Sequence, residues 1–194
     1  VATNVQYESL TTKSRFVSLV QRSESGAGEL VGTDSPLVMV AVNHQRNHDG
    51  RAWVAWKIYP LSAPLVAGTS CDIMLASAAG VRIHLGIDAV LAGDGELYLY
   101  ENATSTGGTP FTPINRNRNY TTSSNVAMVI NPTVTGTGTM LDAQFLAGGV
   151  GKKAGGGGAS SLEYVLKPLT NYLVRMSNTN GTDHAGHLAL EWYE

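Results

Sequence analysis

From Arg51 onward, short apolar-rich runs recur, several of them alternating between two faces, and this limits the folds open to the chain. The runs are "RAWVAWKIY", "CDIMLAS", "VRIHLGIDAVL", "ELYLYE", "VAMVI", "LEYVLK", "NYLVRMS" and "GHLALEWY". Turn-forming stretches separate them: SAAG, GDG, TSTGGTP, NPT, KPLT and NTNGTD. Alternation puts successive side chains on opposite faces of a strand. In "ELYLYE", Leu97 and Leu99 take one face and Tyr98 and Tyr100 the other. In "RAWVAWKIY", Trp53, Ala55 and Lys57 oppose Val54, Trp56 and Ile58. No 3.6-residue pattern intervenes, so the reading is all-β, a sandwich or barrel. Eight or so strands fit a jelly-roll-like sandwich, although sequence alone does not order them.

Residues 1–42 are of a different kind. "YESLTTKSRFVSLVQRSES" carries Leu10, Phe16, Val17, Leu19 and Val20 in neither period; "GAGELVGTDSP" and the apolar run "LVMVAV" follow. The expected organisation is an N-terminal arm or attachment segment over 1–42, extended or a loosely attached strand pair, and a β-sandwich domain over 43–194. One stretch is low in complexity, "AGGVGKKAGGGGASS" at 147–161. A phosphate-cradling loop needs G-x-x-x-x-G-K-[ST] leading into a helix. Here Ala and Gly follow the lysines and no helical pattern comes after, so a flexible surface loop is expected.

Charged residues make up 14% of the chain, against about 25% in ordinary globular proteins, and the net charge is −2. Thr, Ser, Asn and 22 glycines cover the surface instead. That profile suits a part covered by neighbours, and it argues against nucleic acid or a charged membrane surface as partner. The single cysteine, Cys71, allows no intrachain disulfide and sits in an apolar run, so a buried, inert thiol is expected. No signal-peptide pattern opens the chain, and no apolar run approaches the ~18 residues of a spanning helix.

The stretch richest in chemistry is "NHQRNHDGRAW" at 43–53. On a helix, His44 and His48 would share one face at metal-ligand spacing. Asn47, Asp49 and Gly50 are turn formers and a strand follows at once, so the segment reads as a turn into the first core strand. His84 is expected mid-strand, on the face opposite Ile83 and Leu85, and His184 and His187 in another turn. G-x-S-x-G, HExxH and a calcium-binding loop are all missing. Asp72, Asp88, Asp94, Glu96 and Glu101 are scattered, with no marked pair for glycosidase chemistry. Asn102 and Asn119 match the glycosylation pattern by chance. In "INRNRNY", Arg116 and Arg118 project to one side of an extended chain, suited to acidic groups on a partner. The chain is therefore expected not to be an enzyme, with no catalytic, cofactor-binding or metal-binding residues and no cofactor.

"HQRNHDGRAW", "GELYLYENATSTGGTPFTPINRNRN", "LEYVLKPLTNYLVRMSNTNG" and the closing "LALEWYE" together resemble a family of tailed-bacteriophage head decoration, or cement, proteins. The resemblance covers roughly residues 43–194. It rests on the order and spacing of a His-x3-His-x-Gly segment (His44, His48, Gly50), a Tyr-Leu-Tyr-Glu strand (Tyr98 to Glu101), an Asn/Arg loop (Asn115 to Arg118), a Lys167 to Arg175 strand pair, and Glu191 to Glu194. It implies a β-sandwich that binds the outside of the phage head and stabilises the shell. Its partners would be the major capsid protein and copies of itself, most naturally a homotrimer at threefold positions. It would be made in the host cytoplasm and reside on the virion exterior. The expected contacts are Tyr7, Leu10, Phe16, Val17 and Leu19 in the arm and Arg116 and Arg118 in the loop. The alternative is a receptor- or glycan-binding module of a tail or fibre, which needs an exposed aromatic platform. Trp53, Trp56 and Trp192 all sit in strand patterns that suggest core. A metal hydrolase built on the histidines ranks third.

Overall fold

Alternation along the chain is realised as two antiparallel sheets stacked on one apolar core. The computed structural model describes residues 20–22, 28–30, 42–148 and 163–194. The chain divides into two units, Val1–Ala41 and Val42–Glu194. In the first, β1 (Val20–Arg22) pairs antiparallel with β2 (Gly28–Leu30), Val20 opposite Leu30. The arm residues Tyr7, Leu10, Phe16, Val17 and Leu19 lie outside the described residues, as does 149–162 of the glycine-rich stretch.

The second unit opens with α1 (Val42–His48), then β3 (Ala52–Tyr59), β4 (Ser70–Ser77), β5 (Ile83–Leu91) and β6 (Gly95–Glu101). Short strands follow: β7 (Thr104–Thr106), β8 (Thr109–Phe111), β9 (Ile114–Asn115), β10 (Val126–Ile130) and β11 (Thr133–Gly136). The last four are β12 (Thr139–Leu146), β13 (Tyr164–Leu166), β14 (Asn171–Asn178) and β15 (Gly186–Tyr193). One sheet runs β12-β6-β14-β4-β10-β8 and the other β13-β5-β15-β3-β9. Without the insertion between β6 and β12, two four-stranded sheets remain, β12-β6-β14-β4 and β13-β5-β15-β3. That is jelly-roll connectivity, in which the chain crosses between sheets at nearly every step. The insertion extends one sheet with β8 and β10 and the other with β9.

Every second residue of β5 (Ile83, Leu85, Ile87, Ala89, Leu91) is buried. These side chains meet Ile73 and Leu75 of β4, Leu97 and Leu99 of β6, and Val174 and Met176 of β14 in one cluster. Tyr98 and Tyr100 take the outer face, stacked with ring centroids 5.8 Å apart. β4 is buried on both faces from Cys71 to Leu75, which explains why "CDIMLAS" does not alternate. Its outer side chain Met74 packs with Leu173 and Ala103, and with Tyr100 and Val134 beside them. Asp72, also facing outward, takes two hydrogen bonds from Arg175, from Nε at 2.7 Å and from the second guanidinium nitrogen at 2.8 Å. Cys71 is fully buried and its thiol is pushed up to about 11, chiefly by that burial, so it stays protonated near neutral pH.

Three sequence expectations need correction. Residues 42–48 form a helix, not a turn. The turn formers instead close it: Arg51 N–H bonds Arg46 C=O at 2.9 Å and Gly50 N–H bonds Asn47 C=O at 3.2 Å, around Gly50 at φ 65°. That is a Schellman cap with glycine in the left-handed position, whose sequence signature is the same as that of a free turn. Trp56 is 40% exposed. It falls with Val54 and Ile58 on the outer face of β3, opposite buried Trp53 and Ala55, and sits edge-on to Phe111 at 6.1 Å. His187 lies within β15, not in a turn, facing Asp88 at 3.1 Å. His84 is on the outer face of β5, as expected. Among the described residues no helix is long and apolar enough to cross a membrane.

Two expected outcomes follow from this packing. At Gly50 the backbone is left-handed and an added Cβ would fall into the Tyr120 ring. Gly50→Ala should therefore cost about 1–3 kcal/mol in urea unfolding; an unchanged midpoint would contradict the cap. The second concerns acid. Hydrogen bonds from Lys167 and then Tyr172 hold Glu101 below its ordinary value. Burial pushes Asp142 up, but bonds from Tyr164, Gln144 and the Ala143 N–H outweigh it and leave that group lowered. Carboxylates depressed in the fold add stability above their unfolded values, roughly pH 4, and lose it as pH falls through the folded ones. Thermal melting should thus be level near neutrality and decline below about pH 4, less steeply in Glu101→Gln.

Candidate functional site

A recess of about 580 Å³ opens where α1, the start of β3 and the approach to β5 meet. Arg46 reaches it from α1, Arg51 from the residue after the cap, and Arg82 from the turn before β5. Buried Asn115 fixes the wall, donating to the Gly50 carbonyl at 2.8 Å. The Schellman cap and this bond set where Arg51 leaves the backbone.

Glu194 also lines the recess, and the acidic groups here are committed to other partners. The Glu194 carboxylate accepts from Ser124 Oγ at 2.6 Å, from Asn125 Nδ2 at 2.7 Å and from Trp192 Nε1 at 3.3 Å. Glu163 bonds His84 Nδ1 and the Tyr193 hydroxyl. The His84 bond is the main reason the Glu163 carboxyl lies below its ordinary range. Burial and then Glu163 push the Tyr193 phenol up, and the nearby Arg46 charge acts against them. Among the described residues, Arg46, Arg51 and Arg82 make neither an ion pair nor a side-chain hydrogen bond. Three uncommitted guanidinium groups around one hollow, in a chain poor in charge, form a site suited to an anion: a carboxylate, phosphate or sulfate.

Arg116 and Arg118, expected to meet acidic groups, share a smaller recess of about 300 Å³ with Asn47 and His48. Arg116 is already paired with Glu191 at 2.7 Å, and Arg118 donates to the Asn115 carbonyl at 3.4 Å. The Asn47 side-chain oxygen is buried there without a hydrogen-bond partner. His44 and His48 are brought together on exposed α1, with Nε2 atoms 3.0 Å apart. His84, His184 and His187 bond to other groups: Glu163, Thr182 and Asp88. Among the described residues no group of three or more His, Cys, Asp or Glu side chains converges as a metal site.

Of the three arginines only Arg82 is remote in sequence; Arg46 and Arg51 both lie in "NHQRNHDGRAW", where the helix and its cap, and not a free turn, aim them.

Fold and recess define a jelly-roll β-sandwich with an open, cationic hollow at one end. Comparison with protein-family models, curated proteins and solved structures yields no match for this chain.

Replacing Arg51 and Arg82 together by alanine should weaken retention of a polyanion such as heparin about tenfold or more, as loss of charge-assisted bonds implies. Elution at unchanged salt would remove the recess as an anion site.

Proposed function

We propose that this chain is a structural protein of a bacteriophage head, a decoration or cement protein that binds the outside of the shell and braces it. The observation that carries this reading is the β12 edge. Among the described residues β12 pairs with β6 on one side and ends the sheet on the other. Along it Phe145 is 88% exposed, Met140 56% and Leu141 44%. A monomer in water normally protects such an edge with charge or proline, because open apolar strands invite pairing. Three large apolar side chains on one open strand suit a surface that is covered when the particle is complete. A protein that binds the assembled shell and not its loose subunits stabilises the shell by mass action. The resemblance of the quoted segments to decoration proteins points the same way. The major capsid protein is the proposed partner, with further copies of the chain, as a homotrimer, beside it.

The arginine recess favours a second reading, a receptor- or glycan-binding module of a tail or fibre that takes an acidic sugar. Labelling the chain on intact virions separates the two: decoration places it over the head, receptor binding at the tail.

Mixed with shells that lack it, the protein should co-sediment saturably and raise the temperature at which they break. Met140→Ser with Phe145→Ser should weaken binding about tenfold or more, given roughly 1.5–3 kcal/mol per buried side chain. Added salt should have little effect, because the contact is apolar. Undiminished binding by the double variant would shift the contact away from β12.

A further inference from the structure

We infer that His44 and His48 form a two-imidazole chelate for a divalent transition metal, copper(II) or nickel(II) before zinc. The two residues stand four apart on α1, and their Nε2 atoms lie 3.0 Å apart with the rings inclined at 67°. Two metal–nitrogen bonds of about 2.0–2.1 Å that span this separation meet at roughly 90–97°. That is the angle between neighbouring positions in square-planar or octahedral coordination, and it is narrow for a tetrahedron. Sequence reading set a metal aside because a turn would not align these rings; the helix removes that ground.

Among the described residues, the surroundings hold the pair in place and no third His, Cys, Asp or Glu joins it. The Schellman cap fixes the helix end, and Asn117 Nδ2 donates to the His48 carbonyl at 3.1 Å. Asp49, the nearest carboxylate in sequence, takes a bond from Gln45 Nε2 at 2.9 Å. Without metal, one Nε2 carries a proton and donates it to the other. When metal binds, a small χ2 rotation turns both Nε2 lone pairs to a shared point, and each ring holds its proton on Nδ1. The Nε2 proton moves to Nδ1 through solvent, so neutral rings release no proton. Positions on the metal that the described residues leave open are taken by water, which makes the ion exchangeable.

The test is titration of the full chain with copper(II) sulfate in a non-coordinating buffer, read by calorimetry and by electron paramagnetic resonance. The expected result is one site per chain, with hyperfine splitting from two imidazole nitrogens. His44→Ala or His48→Ala should each lower its affinity about tenfold or more, and His187→Ala should leave it unchanged. The spectrum of the unaltered chain reports the ligands whether or not a variant preserves the helix. Splitting from fewer than two imidazoles, or a His44→Ala/His48→Ala double variant that binds copper as the parent does, would overturn the assignment.

Discussion

Burial of one face of every core strand against the opposite sheet is the constraint on which the rest of the molecule depends. β5 shows its force, since Ile83, Leu85, Ile87, Ala89 and Leu91 all point inward. A slip of one residue against β15 would turn all five outward. At about 1.5–3 kcal/mol for each large side chain, that loss rivals the whole net stability of a domain, about 5–15 kcal/mol. Register is therefore not negotiable, and the loops take the shapes it leaves them.

The insertion at 102–138 exploits that rigidity. It adds strands to the edges of both sheets and returns through β7 and β11, which pair with each other. Around them a second apolar cluster of Met74, Ala103 and Leu173 forms on the outside of a sheet. Beside it the bidentate Asp72–Arg175 pair is partly buried. Removing one partner of such a pair leaves a charge with its solvation lost, so the two residues are coupled more tightly than any surface pair here. The outer face of this sheet is thus partly a second interior, and the exposed apolar residues of β12 begin where that cover ends.

Strands with clean alternation were legible because their two faces differ in chemistry. The runs that form β3, β5, β6, β14 and β15 all show in the sequence, and in β6 the Leu97/Leu99 face separates from the Tyr98/Tyr100 face. β12, "TMLDAQFL", was not picked out: a register shift between Met140 and Asp142 breaks its alternation, and Phe145 faces water. α1 is too short for a helical period to show, and its cap glycine has the same sequence signature as a turn. Alternation separates Trp56 from Trp53, but which of the two faces turns inward is a tertiary fact that no local pattern contains. The arginine recess is tertiary in the same sense, built from three segments that become neighbours only when β3 and β5 flank β15.

That flanking also dictates an order of events. β15 lies between β3 and β5, with Tyr193 opposite both Ala52 and His84. A chain emerging from the ribosome makes β3 and β5 early, yet β3 has only the two-residue β9 beside it, and β5 only the three-residue β13, until β15 appears. In the interval both strands present unpaired backbone and half a core to the solvent. Such wide sequence separation slows closure and leaves the nascent sheet open to stray pairing. Yield in a foreign host should accordingly be governed by how fast the final strand inserts, and not by the stability of the finished sandwich.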